Sequence, residues 1–225
     1  YKDDNWKLIV ERFPATLQLT IASLILQLLI SVPLGVITAL KRGTKWDSFS
    51  MFFALIGQSM PSFWIGLMLM LIFSVTLRWL PVSGRYEGIK SMILPVITLS
   101  FYGIARNTRL IRSAMLEVLG EDYIRTARAK GLTERGVYFK HALRNVFIPV
   151  VTIIGMDLGS LLSGALVVET IYAWPGMGLL TVNAINGKDI TMVQACVTLF
   201  ALMFVFANLV VDFTYTFLDP RIRLE

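Results

Sequence analysis

ITMVQACVTLFALMFVFANLVVDFTYTF, residues 190–217, contains one charged residue, Asp212. A helix needs roughly 20 apolar residues to cross a hydrocarbon core about 30 Å thick. In lipid the backbone must satisfy its own hydrogen bonds, and a run of this length does so only as a helix. Comparable runs occupy residues 144–172, 91–117, 46–79 (interrupted by Pro61) and 14–40. The whole chain is 56% hydrophobic and 16% charged, with a mean hydropathy of +0.68; soluble domains are about a quarter charged. The expected fold is therefore all-α: a single polytopic transmembrane helical domain over residues 1–225 with five spans. The lone Cys196 excludes an internal disulfide and offers no metal-ligand spacing, so it reads as a small core residue.

The polar connections give the orientation. KRGTKWD (41–47) and the stretch from 118 to 143 are rich in Lys and Arg. PVSGRYEGIK (81–90) mixes signs, and AWPGMGLLTVNAINGKD (173–189) holds only Lys188 as a base, beside Asp189. The tail DPRIR (219–223) is basic again. Rich and poor connections alternate, and the positive-inside rule assigns the rich ones, with the C-terminus, to the cytoplasm. A chain that starts outside without a signal-peptide pattern needs an earlier span to carry it there, so a further N-terminal helix before Tyr1 is expected. The net charge of +6 is distributed by topology, which suits anionic lipid and a cytoplasmic partner better than nucleic acid.

One interior stretch is unlike the rest: EDYIRTARAKGLTERGVYFKHALRN, residues 121–145. At 100° per residue, Tyr123, Ile124, Ala127 and Gly131 share one arc, opposite Arg125, Thr126, Ala129 and Lys130, with Arg128 at the border. That small apolar arc suits a shallow protein groove. Gly131 stands where a C′ glycine ends a helix, and Thr133 with Glu134 can start another turn. A solvated loop that merely obeys the positive-inside rule accounts for the charge equally well.

RTARAKGL (125–132), followed by HALRN (141–145) and Pro149, resembles the cytoplasmic loop of permease subunits from bacterial ABC importers, specifically the dipeptide, oligopeptide and nickel permease family. FPATL (13–17), SVPLG (31–35), SMPSFW (59–64), WLPVSG (79–84), AWPGMG (173–178) and DPRIR (219–223) are similar to the same family, in order along nearly the whole chain. The resemblance implies the type I ABC importer permease fold, with one further N-terminal helix. It also implies that the loop 118–143 holds a coupling helix docking on a cytoplasmic ATPase subunit, and that 173–189 forms a periplasmic scoop. The coupling residues it implies are Glu121, Asp122, Tyr123, Arg125, Thr126, Ala127, Arg128, Lys130 and Gly131. Of the broader importer pattern, only Ala127 and Gly131 are kept, and Arg144 stands where a proline is usual.

No G-x-x-x-x-G-K-[ST] motif occurs, so this chain has no cradle for ATP phosphates; ATP and Mg are expected on partner subunits, with no cofactor or metal here. Catalytic constellations are missing too. His141 has no Cys or carboxylate at ligand spacing and reads as a loop hydrogen-bonding group. Ser160 and Ser163 lack a nucleophile-elbow pattern and read as small residues that let helices approach.

Ionisable groups inside spans are expensive and are functional candidates. Asp157, between Gly155 and Gly159, is a candidate for the translocation path, and so is Glu169, which also suits a structural role under the WPGMG loop. Pro61 removes a helix hydrogen bond and opens the backbone there, so Gln58, Met60 and Pro61 join the path. Arg106, Arg109 and Arg112 share a face and either snorkel to headgroups or pair with Asp212 or Glu117. The expected function is a permease subunit moving peptides, glutathione or nickel chelates across the bacterial inner membrane. Its expected partners are a second homologous permease, two ATPase subunits, an external binding protein and the bilayer. The alternative is a self-standing ion-coupled carrier, which needs internal repeats and buried relays that the sequence does not display.

Overall fold

A computed structural model describes residues 2–218, apart from the side chains of 2–4, 135, 139, 144, 147–149, 211–212 and 214–218. The readings of Arg144, Pro149, Asp212 and the DPRIR tail fall outside these described residues. The long apolar runs fold as helices that turn their polar residues inward. Helix α1, Lys2–Leu40, shows this most clearly. Thr16, Thr20, Ser23, Gln27, Ser31 and Thr38 recur at helical spacing and are buried, while Ile21, Ile25, Leu29 and Ile37 are exposed. Lipid is as apolar as leucine, so association there relies on close packing of small residues and on interhelical hydrogen bonds.

At 39 residues, α1 is about 58 Å long at 1.5 Å per residue, well beyond the hydrocarbon core. It starts at Lys2, twelve residues before the apolar run at 14–40. The reason is tertiary: Ile9 is buried with Met177, Ala184, Met192 and Cys196, which gives the polar first turns a packing partner.

The run at 46–79 is not one kinked rod. Helix α2, Lys45–Ser59, stops at Met60. Helix α3, Ser62–Leu69, then leaves at 102° and continues through a π-helical turn, Met70–Thr76. Pro61 takes the extended backbone that a proline and its predecessor favour, and it opens α3 as its N-cap. Helix α4, Ile89–Gly120, packs most extensively on α1. Next come the short α5, Asp122–Ala129, and the single turn α6, Glu134–Gly136. A π-helical turn, Val137–Ala142, then leads into α7, Leu143–Ile171. Helices α8, Met177–Asn186, and α9, Ile190–Leu218, complete the chain. Among the described residues, four helices are long and apolar enough to span a membrane, and a fifth span is counted if the bent α2–α3 pair forms one.

Two apolar layers hold the bundle. One, at the α5 end, gathers Val36, Ile111, Met115, Ile124, Val137 and Val146. The other, at the α8 end, gathers Leu19, Leu94, Leu99, Val168, Tyr172 and Trp174. Cys196 is fully buried beside α8.

Candidate functional site

The α5 elbow is built from local rules. Glu121 adopts extended backbone and its carbonyl accepts from Ile124 N at 3.1 Å, which opens the helix. Asp122 in the first turn and Arg128 in the last complement the helix dipole. Gly131 closes it at φ +77°, donating to Arg128 O at 2.9 Å, in the left-handed region where glycine pays no Cβ penalty. The Asp122–Arg125 pair, 3.3 Å apart with both side chains exposed, contributes at most about 1 kcal/mol.

Burial divides the helix. Ile124 and Ala127 point into the chain's own core, against Met115, Val137 and Val146. The small apolar arc is therefore largely used internally, anchoring the elbow to α4 and α7. The exposed surface consists of Glu121, Asp122, Tyr123, Arg125, Thr126, Arg128, Ala129, Lys130 and Gly131. Asn145 donates to the Tyr123 hydroxyl, which ties the elbow's near end to α7. Arg128 Nε donates to Glu134 Oε1 at 3.0 Å across the turn. The Tyr138 hydroxyl and the Arg128 guanidinium hold the Glu134 carboxyl below its usual range. Pairing with Glu134 raises Arg128 and Tyr138 in turn, the latter helped by partial burial.

Between the two apolar layers lies a polar node. Asp157 of α7 is 2% exposed. Its Oδ1 accepts from Arg106, and its Oδ2 accepts from Gln27 of α1 and Asn107 of α4. Three helices meet on one carboxylate, and removing Arg106, which leaves the buried Asp157 without its cation, costs about 3–5 kcal/mol. Gly103 is required there, because a Cβ at that position would overlap the Gln27 amide. Beside the node is a cavity of about 380 Å³ lined by Gln27, Gln58, Met60, Pro61, Tyr102 and Asp157. Four of the five residues proposed for a path from the sequence thus share one space. Among the described residues, Gln58 Nε2 is buried there without a hydrogen-bond partner.

Residues 31–224 match the family described as "Binding-protein-dependent transport system inner membrane component". The chain belongs to that family. It is 42% identical to the dipeptide transport system permease protein DppB of Escherichia coli K12, over 97% of this chain and 73% of that one. It is 42% identical to the oligopeptide transport system permease protein AppB of Bacillus subtilis, over 96% and 72%. The glutathione transport system permease protein GsiC of Salmonella typhimurium is 45% identical over 96% and 71%. An inward-facing structure of the MetNI methionine ABC transporter shares the fold, with a TM-score of 0.79 at 17% identity over 95% of this chain and 97% of that one. The chain is thus a multi-pass inner-membrane permease component, and its fold is that of ABC importer permeases. The self-standing carrier alternative is set aside.

The fifth path candidate of this permease lies elsewhere. Glu169 is fully buried, but away from the cavity. Its Oε1 accepts from Thr16 Oγ1 at 2.6 Å, and its Oε2 accepts from Gly178 N at 2.7 Å and Leu179 N at 3.1 Å. It caps the start of α8 and fastens it to α1, which satisfies orphan helix donors with a carboxylate. Trp174 Nε1 completes the fastening by donating to Ala15 O at 3.0 Å.

The arginine face of α4 divides three ways, and Glu117 is not a partner of any of the three among the described residues. Arg106 takes Asp157, Arg112 takes Asp47, and Arg109 is exposed. Ser160 and Ser163 donate back to Met156 O and Gly159 O and line an open groove, rather than closing a helix contact within the permease. Sequence reading missed Gln27, Asn107 and Asp47. Gln27 carried a usable signal: Thr20, Ser23 and Ser31, at i−7, i−4 and i+4, are small and polar, and such a stripe points inward in a membrane helix.

Proposed function

We propose that this chain is one permease subunit of an ATP-driven importer for short peptides. It pairs with a second, homologous permease and receives substrate from an external binding protein. Two ATPase subunits, which supply ATP and Mg, drive it through α5. In this reading the α5 end and the C-terminus are cytoplasmic, and α8 lies in the external scoop. Family membership supports the transport role, and the names of the relatives at 42–45% identity support peptides as cargo.

The observation that carries the coupling role is the division of α5. Ile124 and Ala127 are clamped into the bundle, so force on the exposed face reaches α4 and α7 through packed side chains. For ATP binding to shift the helices, that face must bind the partner differently in the two states. The path is the cavity at Gln58, Met60, Pro61 and Asp157. Alternating access opens it to either side, with the break at Pro61 exposing backbone to it.

The test replaces exposed charges and leaves the anchor intact. Arg125→Glu with Lys130→Glu is expected to abolish copurification of the ATPase subunits and peptide uptake, with unchanged thermal stability of the permease. Wild-type ATPase assembly and uptake in that double variant would remove α5 from the coupling role.

A further inference from the structure

The Arg106–Asp157 pair stands between two spaces. Asp157 lines the cavity of about 380 Å³ bordered by α1, α2, α3, α4 and α7. Arg106 lines a separate groove of about 990 Å³ between α7 and α9, with Met156, Gly159, Phe204 and Asn208. Ser160, three residues beyond Asp157, borders both. The two charges are thus partners in the partition, each facing a different side. Their exposures agree: the Arg106 side chain is 21% exposed and that of Asp157 is 3%.

Both charges keep spare hydrogen-bonding capacity. A carboxylate offers about four lone-pair sites and a guanidinium five N–H donors. Among the described residues, Asp157 Oδ1 is engaged by Arg106 alone, and Oδ2 stays held by Gln27 and Asn107. Arg106 uses Nη2 for Asp157 and Nε for Asn107 Oδ1 at 3.3 Å, so Nη1 points to neither. Gln58 Nε2 adds an unmatched amide donor to the cavity wall. The cavity volume lies within the roughly 300–1,000 Å³ typical of small-molecule sites.

Separating a buried ion pair leaves two uncompensated charges, which the interior of a membrane domain penalises heavily. A ligand carrying an ammonium and a carboxylate removes that penalty, because each end replaces the partner that its site loses. One with a single charge leaves Arg106 or Asp157 bare, and an uncharged one leaves both. We propose that the Arg106–Asp157 pair is a charge-reading partition, specific for zwitterionic molecules with a free ammonium and a free carboxylate. The ammonium goes to Asp157 Oδ1 and the carboxylate to Arg106, and the exchange joins the cavity to the groove. This inference rests on the permease reading above and adds a selectivity step inside the permease itself.

The test uses the solubilised permease–ATPase complex without the external binding protein. The probes are glycylglycine, glycylglycine amide, N-acetylglycylglycine and N-acetylglycylglycine amide, which carry both charges, the ammonium, the carboxylate and neither. Binding is read as the rise in unfolding midpoint, which follows the logarithm of one plus ligand over Kd. Glycylglycine is expected to half-saturate at a concentration roughly tenfold or more below any blocked probe. Arg106→Lys is expected to keep that order. Arg106→Gln with Asp157→Asn, which removes both charges and retains amide groups, is expected to bring the four probes within about twofold.

A second measurement does not depend on the double variant assembling. Ser160→Cys, in a chain whose native Cys196 is buried, reports access to the partition through thiol labelling. Glycylglycine is expected to protect it, and the blocked probes are not. Equal half-saturation of the four probes in the wild type, no shift with glycylglycine, or equal protection by all probes would each overturn the proposal. A complex that retains its ATPases and transports peptide while showing no charge preference overturns this inference alone. Failure of any ATPase to copurify counts against the proposed ATPase coupling instead.

Discussion

Replacing Asp47 by asparagine should loosen the junction where α2 meets α4 and the basic loop 41–46. Asp47 is 6% exposed, on the first turn of α2. Its carboxylate accepts from Arg112 Nε at 2.7 Å and Nη2 at 2.8 Å, a side-on bidentate pair, and from Gly43 N at 3.0 Å. Losing one partner of a buried pair costs about 3–5 kcal/mol because the survivor's charge stays uncompensated. The Arg112 side chain, however, is 22% exposed and lies about two turns from the end of α4. In the variant its head can reach toward water along its own stem, which reduces the expected cost to roughly 2–3 kcal/mol. For a chain of this length that corresponds to a fall in unfolding midpoint of about 4–12 °C, at roughly 2–4 °C per kcal/mol.

The decisive assay is a double-mutant cycle on the solubilised complex. Asp47→Asn is expected to lose about 2–3 kcal/mol and Arg112→Gln, whose surviving Asp47 is buried, about 3–5 kcal/mol, and together no more than the larger of the two, because the double variant has no orphaned charge. The coupling energy should be at least about 2 kcal/mol. If the two losses add to within about 0.5 kcal/mol, the pair makes no joint contribution and the reasoning fails.

Gly103→Ala should act on the polar node without touching a charge. The added methyl displaces the Gln27 amide from Asp157, and the expected overpacking cost of about 1–3 kcal/mol should be relieved by Gln27→Ala in the same chain. Glu169→Gln should cost about 1–3 kcal/mol, since one of its two accepting oxygens becomes a donor facing Gly178 N or Thr16. Gly176→Ala, whose methyl would meet the same carboxylate, should be less than additive with it in thermal melts. At the elbow, the Glu134 carboxyl titrates below its ordinary value of 4.5. Its depressed folded-state pKa means the link to Arg128 and Tyr138 is complete above that value and lost as pH falls through the lower one. Amide exchange in residues 128–134, corrected for intrinsic rates, should accelerate only below about pH 4.5, and Glu134→Gln should show the accelerated rate at pH 7.

The helices were legible because length and apolarity leave lipid-spanning backbone few options. The end of α5 was legible because Gly131 supplies a conformation other residues resist. Which face of each helix points inward was much less so. In a soluble helix the apolar stripe marks the core, and that habit assigned the Tyr123–Ile124–Ala127 arc to a partner. The structure uses Ile124 and Ala127 internally because α5 lies against Met115 of α4 and Val146 of α7, neighbours that the 121–131 pattern does not contain. The opposite error befell α1: its buried stripe from Thr16 to Thr38 is small and polar, and an eye trained on apolar periodicity passes over it.

Charges expose the deeper reason. Asp157, Arg106, Asp47 and Arg112 were each conspicuous or readable as residues, but pairing is a property of packing. Arg106 and Arg112 sit six residues apart on one helix and choose acids 51 residues downstream and 65 upstream. Nothing local distinguishes them: both are arginines on the same broad face of α4, and the described alternatives, such as Glu117, are closer in sequence. What decides is depth. Arg106 lies level with Asn107 and Gln27, where a carboxylate already finds two amide donors and needs one cation. Arg112 lies two turns nearer the α5 end, where α2 begins and Thr44 and Gly43 fix Asp47 in its first turn. The same face of one helix therefore has two separable tasks: Arg112 to hold the frame beside the elbow, and Arg106 to stand at the partition of the cavity. Neutralising the Asp47 pair should lower stability while leaving charge preference among bound peptides intact, and neutralising the Asp157 pair should abolish that preference.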